Sequence, residues 1–314
     1  MAEKPKPFFS VIIPVYNREQ TIIKTLESIA AQEFRDFEVI VVDDGSDDNT
    51  CQVVADYKFA HLIRQQNSGP GTARNRGLQE ASAQYIAFLD SDDVWFPWTL
   101  QQYAKAIAKF NNPAFLTGSP LCFSNEEELR YAKDGEAEYR TFDDYYATGE
   151  EWLWHGVSSF VIRRDILTEA GGFVDGRVNG EDAELAMRLG TAKGFVHIAS
   201  PAMLGYRVHS GNVTLDTNKS CQGLELLIEG ERNGKFPGGK KRTRDRAVII
   251  SRHVRPFAVE CARQGNIVKA FRFYFAIMPE AIRSFRYRFI LGLPAVALCG
   301  SIRQMMLKLF RVKE

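Results

Sequence analysis

Three carboxylates fall within four residues at Asp90-Ser91-Asp92-Asp93, directly after the apolar run Tyr85-Ile86-Ala87-Phe88-Leu89. Like charges this close repel and raise one another's pKa, and a divalent cation is the natural way to neutralise them. Oxygen donors select a hard ion, Mg²⁺ or Mn²⁺, whose shell is usually completed by water and substrate phosphates. A nucleoside diphosphate is a sensible ligand for such a place. The same residues would also suit a solvated acidic turn that caps the following helix.

A second acidic turn, Asp43-Asp44-Gly45-Ser46, ends the apolar run Phe37-Glu38-Val39-Ile40-Val41-Val42. An Asp there can accept a hydrogen bond from the imide N–H of a pyrimidine or from ribose hydroxyls. Turn and cap chemistry explains the same residues without a ligand. The stretch Gly69-Pro70-Gly71-Thr72-Ala73-Arg74 has two glycines of a dinucleotide fingerprint, but its sixth position is Arg, so a dehydrogenase reading is poor. It reads better as a turn feeding a helix whose first turn offers Arg74 to an anionic or base-bearing ligand. Further on, Asn179-Gly180-Glu181-Asp182 precedes a helical stretch. Its carboxylates favour a helix N-terminus, and one could serve as a general base. His209 stands alone, with no Cys or His spacing that would make zinc attractive.

These turns need a scaffold that brings them to one edge. Phe9 to Pro14 reads as a buried strand, and Ile22, Ile23, Leu26, Ile29 and Ala30 share a helical face, with Asn17 and Gln20 spaced like a capping box. Strands over 37–42, 61–65 and 85–89 alternate with helices, one of them about Thr72 to Ser82. Such alternation predicts a three-layer α/β sandwich with a mostly parallel central sheet. Ligands of such sheets collect beyond the carboxyl ends of the strands, where the polar turns lie. We expect a nucleotide-binding half over 1–105, an acceptor-binding half over 106–230, and a basic helical C-terminal extension over 231–314.

The charge supports that last division. The 314 residues carry a net +1, yet 231–314 hold 19 Lys and Arg against 5 Asp and Glu, leaving 1–230 with 21 against 34. An acidic body argues against a nucleic-acid partner, whereas a basic segment containing the apolar run Phe289 to Ile302 suits an anionic lipid surface. Arg283, Arg286, Arg288, Arg303, Lys308, Arg311 and Lys313 bracket that run, with Pro294 expected to interrupt any helix. A helix packed on the body with a solvated basic face is the other reading. The run is too short for a bilayer span, and the first residues lack the order of an export signal. Five cysteines, odd in number and scattered, read as reduced thiols. We therefore expect a cytoplasmic chain, peripheral on the inner face of the cytoplasmic membrane. Trp152, Trp154, His155 and Ser158 lie within the expected acceptor-binding half, where tryptophans either pack in the core or stack on a sugar.

Taken together, the ordered motifs over residues 8 to 215 resemble the family 2 glycosyltransferases, inverting enzymes of the GT-A fold. The resemblance rests on Ser10-Val11-Ile12-Ile13-Pro14-Val15-Tyr16-Asn17, Val41-Val42-Asp43-Asp44-Gly45-Ser46, Asn67 and Gly69 through Ala73-Arg74-Asn75 to Gly77, Phe88-Leu89-Asp90-Ser91-Asp92-Asp93, Gly171-Gly172-Phe173 and Glu181-Asp182. It implies that Pro14 and Tyr16 border the base, with Asp44 or Asp43 bonding it and Arg74 assisting. It implies Asp90 near the ribose, Asp92 as ligand of Mn²⁺ or Mg²⁺, His209 approaching the metal or diphosphate, and Asp182 as base. Trp154 and Glu181 would touch the acceptor.

The reaction so implied is a single displacement that moves a sugar from a nucleoside-diphosphate sugar, UDP preferred, to a saccharide or lipid-linked acceptor in polysaccharide or glycolipid assembly. Nucleotidyl transfer would need a basic Gly-rich loop after the first strand, which Pro14-Val15-Tyr16-Asn17 does not supply. A non-catalytic nucleotide-sugar-binding scaffold at the membrane surface is the alternative outside catalysis.

Overall fold

A computed structural model describes residues 6–151, 153, 156–176, 179–209 and 217–310. Contacts divide the chain into two compact units, one of residues 1–147 with 153–212, the other of 148–152 with 213–314.

The first unit opens with alternating strands and helices: β1 (Phe9–Val15), α1 (Ile22–Ala30), β2 (Phe37–Asp43), α2 (Thr50–Ala55), β3 (Ala60–Arg64), α3 (Pro70–Glu80) and β4 (Tyr85–Phe88). Strands β3, β2, β1 and β4 lie side by side in that order, all parallel. Both faces of β1 are buried, which is why it is apolar almost throughout. On one face Ile22, Leu26 and Ile29 of α1 join the core. On the other α3 approaches so closely that a Cβ on Gly77 would lie 2.5 Å from Ile12 Cγ2. Register then aligns the strand ends: Pro14 pairs with Val42, Val15 with Asp43, and Leu89 N–H bonds Ile12 O at 3.2 Å. The two acidic turns therefore leave the sheet at one rim.

The unit continues with β5 (Val94–Trp95), α4 (Thr99–Lys109), β6 (Phe115–Gly118), β7 (Pro120–Phe123), β8 (Glu138–Phe142), β9 (Val161–Arg163), α5 (Arg164–Glu169), α6 (Glu181–Arg188), β10 (Phe195–Ser200) and β11 (Leu204–Arg207). The sheet grows to eight strands in the order β3-β2-β1-β4-β9-β6-β10-β8, with β9 and β8 antiparallel to their neighbours. The mostly parallel α/β sandwich expected from sequence is the observed fold. A separate three-stranded sheet, β5-β11-β7, pairs the segment after β4 with β11.

Two local expectations fail. The capping box at Asn17 does not form: α1 begins at Ile22, and Asn17 takes a positive φ of 50° while its side-chain oxygen accepts the Asp47 N–H at 2.9 Å. Asn tolerates the left-handed region and bonds nearby backbone readily, so it serves the turn.

The second failure is in the other unit, formed by α7 (Thr217–Arg232), α8 (Thr243–Arg263), α9 (Ile267–Arg283) and α10 (Tyr287–Phe310). Pro294 does not interrupt α10, which runs through it. Proline supplies no N–H to the carbonyl four residues earlier. Here the Tyr274 hydroxyl of α9 donates to that carbonyl, Ile290 O, at 2.7 Å. Ion pairs explain why α7 belongs with the later helices and not with the body ending at 230: Glu231 binds Arg246 at 2.6 Å and Glu225 binds Arg272 at 3.0 Å. Cys221 and Cys261, distant in sequence, have sulfurs 3.5 Å apart. Segment 148–152 joins this unit through Glu150, bound by Arg255 at 2.8 Å and Arg286 at 2.7 Å.

Candidate active site

The turn after β4 is the centre of the rim. Its most buried member is Asp93, 2% exposed. Asp93 Oδ2 accepts from Ser158 Oγ at 2.6 Å, Oδ1 accepts from Arg207 N at 3.0 Å, and its carbonyl accepts from Thr25 Oγ1 at 2.8 Å. Ser158 Oγ in turn accepts the Asp90 N–H at 3.1 Å. No cation faces Asp93 in these bonds, and burial, with Asp90 and Asp92 adding like charge, holds its carboxyl well above the usual range. Asp93 is thus a structural hub that locks β11 onto the turn. Arg207 completes the lock, its Nε donating to Asp92 O at 2.9 Å while its guanidinium lies over the Phe123 ring.

Two residues beyond this lock, His209 reaches Asp92, with Nε2 and Oδ2 3.1 Å apart. Arg18, leaving β1, has its Nε 3.7 Å from the same oxygen. An imidazole and a carboxylate side by side suit Mn²⁺ or Mg²⁺ of the kind that takes few protein ligands and leaves positions for phosphate and water. Among the described residues no group of three or more His, Cys, Asp or Glu forms a complete ion site.

Across the rim, Arg74 joins the two acidic segments. It projects from the second turn of α3, a helix that Gly69 with φ 95° and Pro70 at the first helical position start. The guanidinium is buried, donating to Asp90 Oδ1 at 2.7 Å and Glu181 Oε1 at 2.8 Å, with Phe173 beneath it at 5.1 Å. Burial opposes its charge, but Asp90 and Glu181 outweigh that and raise its pKa. Burial also raises Asp90, against the pull of Arg74. Asp182 follows Glu181 at the N-terminus of α6, and its Oδ1 accepts the Ala183 N–H at 2.7 Å. Burial first, and the Glu181 charge second, push its carboxyl up to about 7. A carboxylate with that value is matched to taking a proton near neutral pH.

The turn after β2 is committed differently. Asp43 is fully buried, accepting the Ser46 N–H and facing Arg64 Nε at 3.3 Å. Asp44 accepts Gln65 Nε2, the Ser68 N–H and the Gly69 N–H, each at 2.8 Å. Oδ1 takes two of these donors and Oδ2 one, which leaves Asp44 about one acceptor site for a base. Gly45, φ 79°, lets the turn pass residues 65–67 just beyond β3, since a Cβ there would lie 2.9 Å from Asn67 N. Tyr16 is exposed just beyond β1, and Pro14 is buried within it.

The structure thus gathers Arg74, Asp90, Glu181 and Asp182 around one guanidinium, and Asp92 with His209. Trp154, like Trp152 and His155, lies outside the described residues. Sequence reading passed over Arg18, although a cation directly after Asn17 at the end of β1 was a usable signal. It gave Arg207 no part in the site, and it named Asp93 and Ser158 without their bonds to each other and to Arg207, because those come from contacts across more than 60 residues.

A mostly parallel sheet with acidic turns at its carboxyl rim is the architecture of the GT-A fold. Residues 10–171 match the model of the family described as glycosyl transferase family 2, and the chain belongs to that family. It is 42% identical over 130 residues to an uncharacterized glycosyltransferase of Rickettsia bellii, covering 40% of this chain and 18% of that one. It is 38% identical over 119 residues to the UDP-Glc:alpha-D-GlcNAc-diphosphoundecaprenol beta-1,3-glucosyltransferase WfgD of Escherichia coli, covering 37% of this chain and 47% of that one. The chain thus spans less than half the length of either relative. Among solved structures, Staphylococcus aureus TarS 1–349 in complex with UDP-GlcNAc aligns with a TM-score of 0.63 at 21% identity, over 95% of this chain and 92% of the other. The Pyrobaculum calidifontis mannosyltransferase PcManGT, in complex with GDP-Man and Mn²⁺, aligns with a TM-score of 0.55 at 17% identity, over 95% and 88%. These likenesses establish the shared fold.

Proposed function

We propose that this chain is an inverting glycosyltransferase that moves a sugar from a UDP-sugar to a hydroxyl of a saccharide on a lipid-linked or polymeric carrier in cell-envelope assembly. The observation that carries the reading is the Arg74 bridge between Asp90 and Glu181, which sets the base candidate Asp182 beside the acidic turn after β4. The UDP preference and the envelope acceptor are supported by the names of WfgD and of the TarS complex. The basic C-terminal unit would keep the enzyme at the membrane that holds such an acceptor.

In this mechanism the base and ribose lie against Tyr16, Pro14 and the turns held by Asp43 and Asp44. Asp90 faces the ribose, and Arg74 holds Asp90 and Glu181 in place. Asp92 and His209 would hold Mn²⁺ or Mg²⁺, which when bound offsets the charge of the departing diphosphate. Asp182 takes the proton from the acceptor hydroxyl as it attacks the anomeric carbon opposite the leaving group, so configuration inverts. No second nucleophilic carboxylate takes part.

The test is release of nucleoside diphosphate from UDP-, GDP- and dTDP-sugars with Mn²⁺ and saccharide acceptors. UDP release is expected, and Asp182→Asn is expected to lower kcat about 10²–10⁴-fold with UDP affinity retained. Unchanged turnover in Asp182→Asn removes the base. Absence of turnover with every donor and acceptor favours the binding scaffold.

A further inference from the structure

We infer that the outer face of the α9–α10 hairpin is a docking surface for an anionic lipid bilayer, lying in the interface without crossing it. The first observation is a displaced apolar surface. Of eleven large apolar side chains exposed among the described residues, seven lie between Val268 and Leu298. They are ordered: Val268, Phe275 and Ile282 recur every seventh residue along α9, and Leu291 and Leu298 do so along α10. Seven residues are close to two helical turns, so each set forms a row on one side of its helix. At the turn between the helices the exposed Phe285 and Tyr287 rings lie 5.9 Å apart and continue the surface.

These rows are not a poorly packed core. Each helix already has a buried apolar side, Ala270, Phe273, Ile277 and Ala281 in α9, Leu293 and Ala297 in α10. The exposed rows are additional apolar surface on each helix, left toward solvent.

The second observation, charge, selects the occupant. From Cys261 to Phe310 the one acidic residue is Glu280, and it is buried. Arg283 and Arg288 stand exposed around the hairpin turn. A second copy of this chain would bring arginines against arginines, which penalises self-association. Anionic headgroups meet those arginines favourably, while the apolar rows enter the headgroup–acyl boundary. Among the described residues no helix is long and apolar enough to cross a membrane, which fits an in-plane arrangement.

The inference rests on the reading of the acceptor as lipid-linked, and the two can fail separately. The experiment pellets the full chain with vesicles of phosphatidylcholine alone or mixed with phosphatidylglycerol. Binding to the mixed vesicles is expected to exceed binding to phosphatidylcholine more than about tenfold, since each basic residue near an anionic surface contributes about fivefold. Phe275→Glu with Leu291→Glu should reduce pelleting about tenfold or more, and Arg283→Ala with Arg288→Ala comparably. UDP release with a water-soluble acceptor should be unchanged in both variants, which also shows that they fold. Equal pelleting on both vesicles overturns the surface, as does undiminished pelleting in both variants. A concentration-dependent dimer abolished by Phe275→Glu overturns it in favour of self-association. A chain that pellets as expected yet releases no UDP supports the surface and sinks the transferase reading.

Discussion

At the carboxyl rim of the sheet charged side chains are buried, and on α9–α10 apolar side chains are exposed. Both arrangements oppose what stability alone would choose. Their causes differ. The rim charges are held by specific bonds, as Arg74 is by Asp90 and Glu181, so each is fixed in position. The hairpin rows have no bonds to fix and depend on area and periodicity. A site for chemistry therefore reads as a network in which single atoms matter, and a docking face as a pattern in which no single residue dominates.

The largest effect expected from breaking that contrast is at Asp182. Beyond the loss of turnover, Asp182→Asn should change stability with a sign fixed by the raised carboxyl. Its pKa rises from 3.8 to about 7 on folding. Below about pH 4 both folded and unfolded chains hold the proton, and there is no penalty. Between about 4 and 7 only the unfolded chain ionises, so stability falls as pH rises through that window. Above about 7 the penalty is complete. The neutral amide has none, so Asp182→Asn should melt higher than the parent at pH 8 and together with it at pH 4 by scanning calorimetry. Wild-type kcat should rise with pH through about 7, as the proposed base Asp182 loses its proton. Identical melting differences at both pH values would show that folding does not raise the Asp182 carboxyl.

A smaller effect is expected at the hub. Asp93→Ala removes the acceptors of Ser158 Oγ and Arg207 N and so unlocks His209 from Asp92, although it removes no proposed ligand. Loss of such outer partners typically weakens metal affinity about 10–100-fold. Calorimetric titration with UDP and Mn²⁺ should show a loss in that range. Asp93→Asn should recover most of it, because its amide oxygen can accept from Arg207 N while its NH₂ donates to Ser158 Oγ. Equal losses in both variants would mean that the charge of Asp93, not its geometry, is what matters.

These sites also show what a sequence can and cannot disclose. Asp90, Asp92 and Asp182 were visible because a strand end and a helix start are local patterns, and the family motifs fix their order. The alternating apolar runs disclosed the sheet for the same reason. Asp93 was visible as a charge but not as a hub, since its partners Thr25, Ser158 and Arg207 are set by tertiary packing. Asp44 was visible as an acid at a turn, yet nothing local says that Gln65, Ser68 and Gly69 occupy its oxygens. On the hairpin, apolar period marked α9 as a helix, but a period does not say which of two apolar faces is buried. Pro294 misled because its local rule is sound and was overridden by a hydroxyl from another helix.

That override gives the smallest and most local test. If Tyr274 stands in for the missing N–H of residue 294, then Tyr274→Phe leaves Ile290 O without its partner and should cost about 1 kcal/mol in denaturant unfolding. Pro294→Ala restores an N–H that can close the helical bond to the same carbonyl. In that background Tyr274→Phe should cost less, because Ile290 O keeps one donor. The pair should therefore be coupled by about 0.5 kcal/mol or more in a double-mutant cycle. Independent effects would mean that the hydroxyl contributes by packing alone and that α10 tolerates its proline for another reason. A measured coupling would show that the hairpin, whose outer face depends on pattern, is held in shape inside by the same kind of single-atom bond that organises the rim.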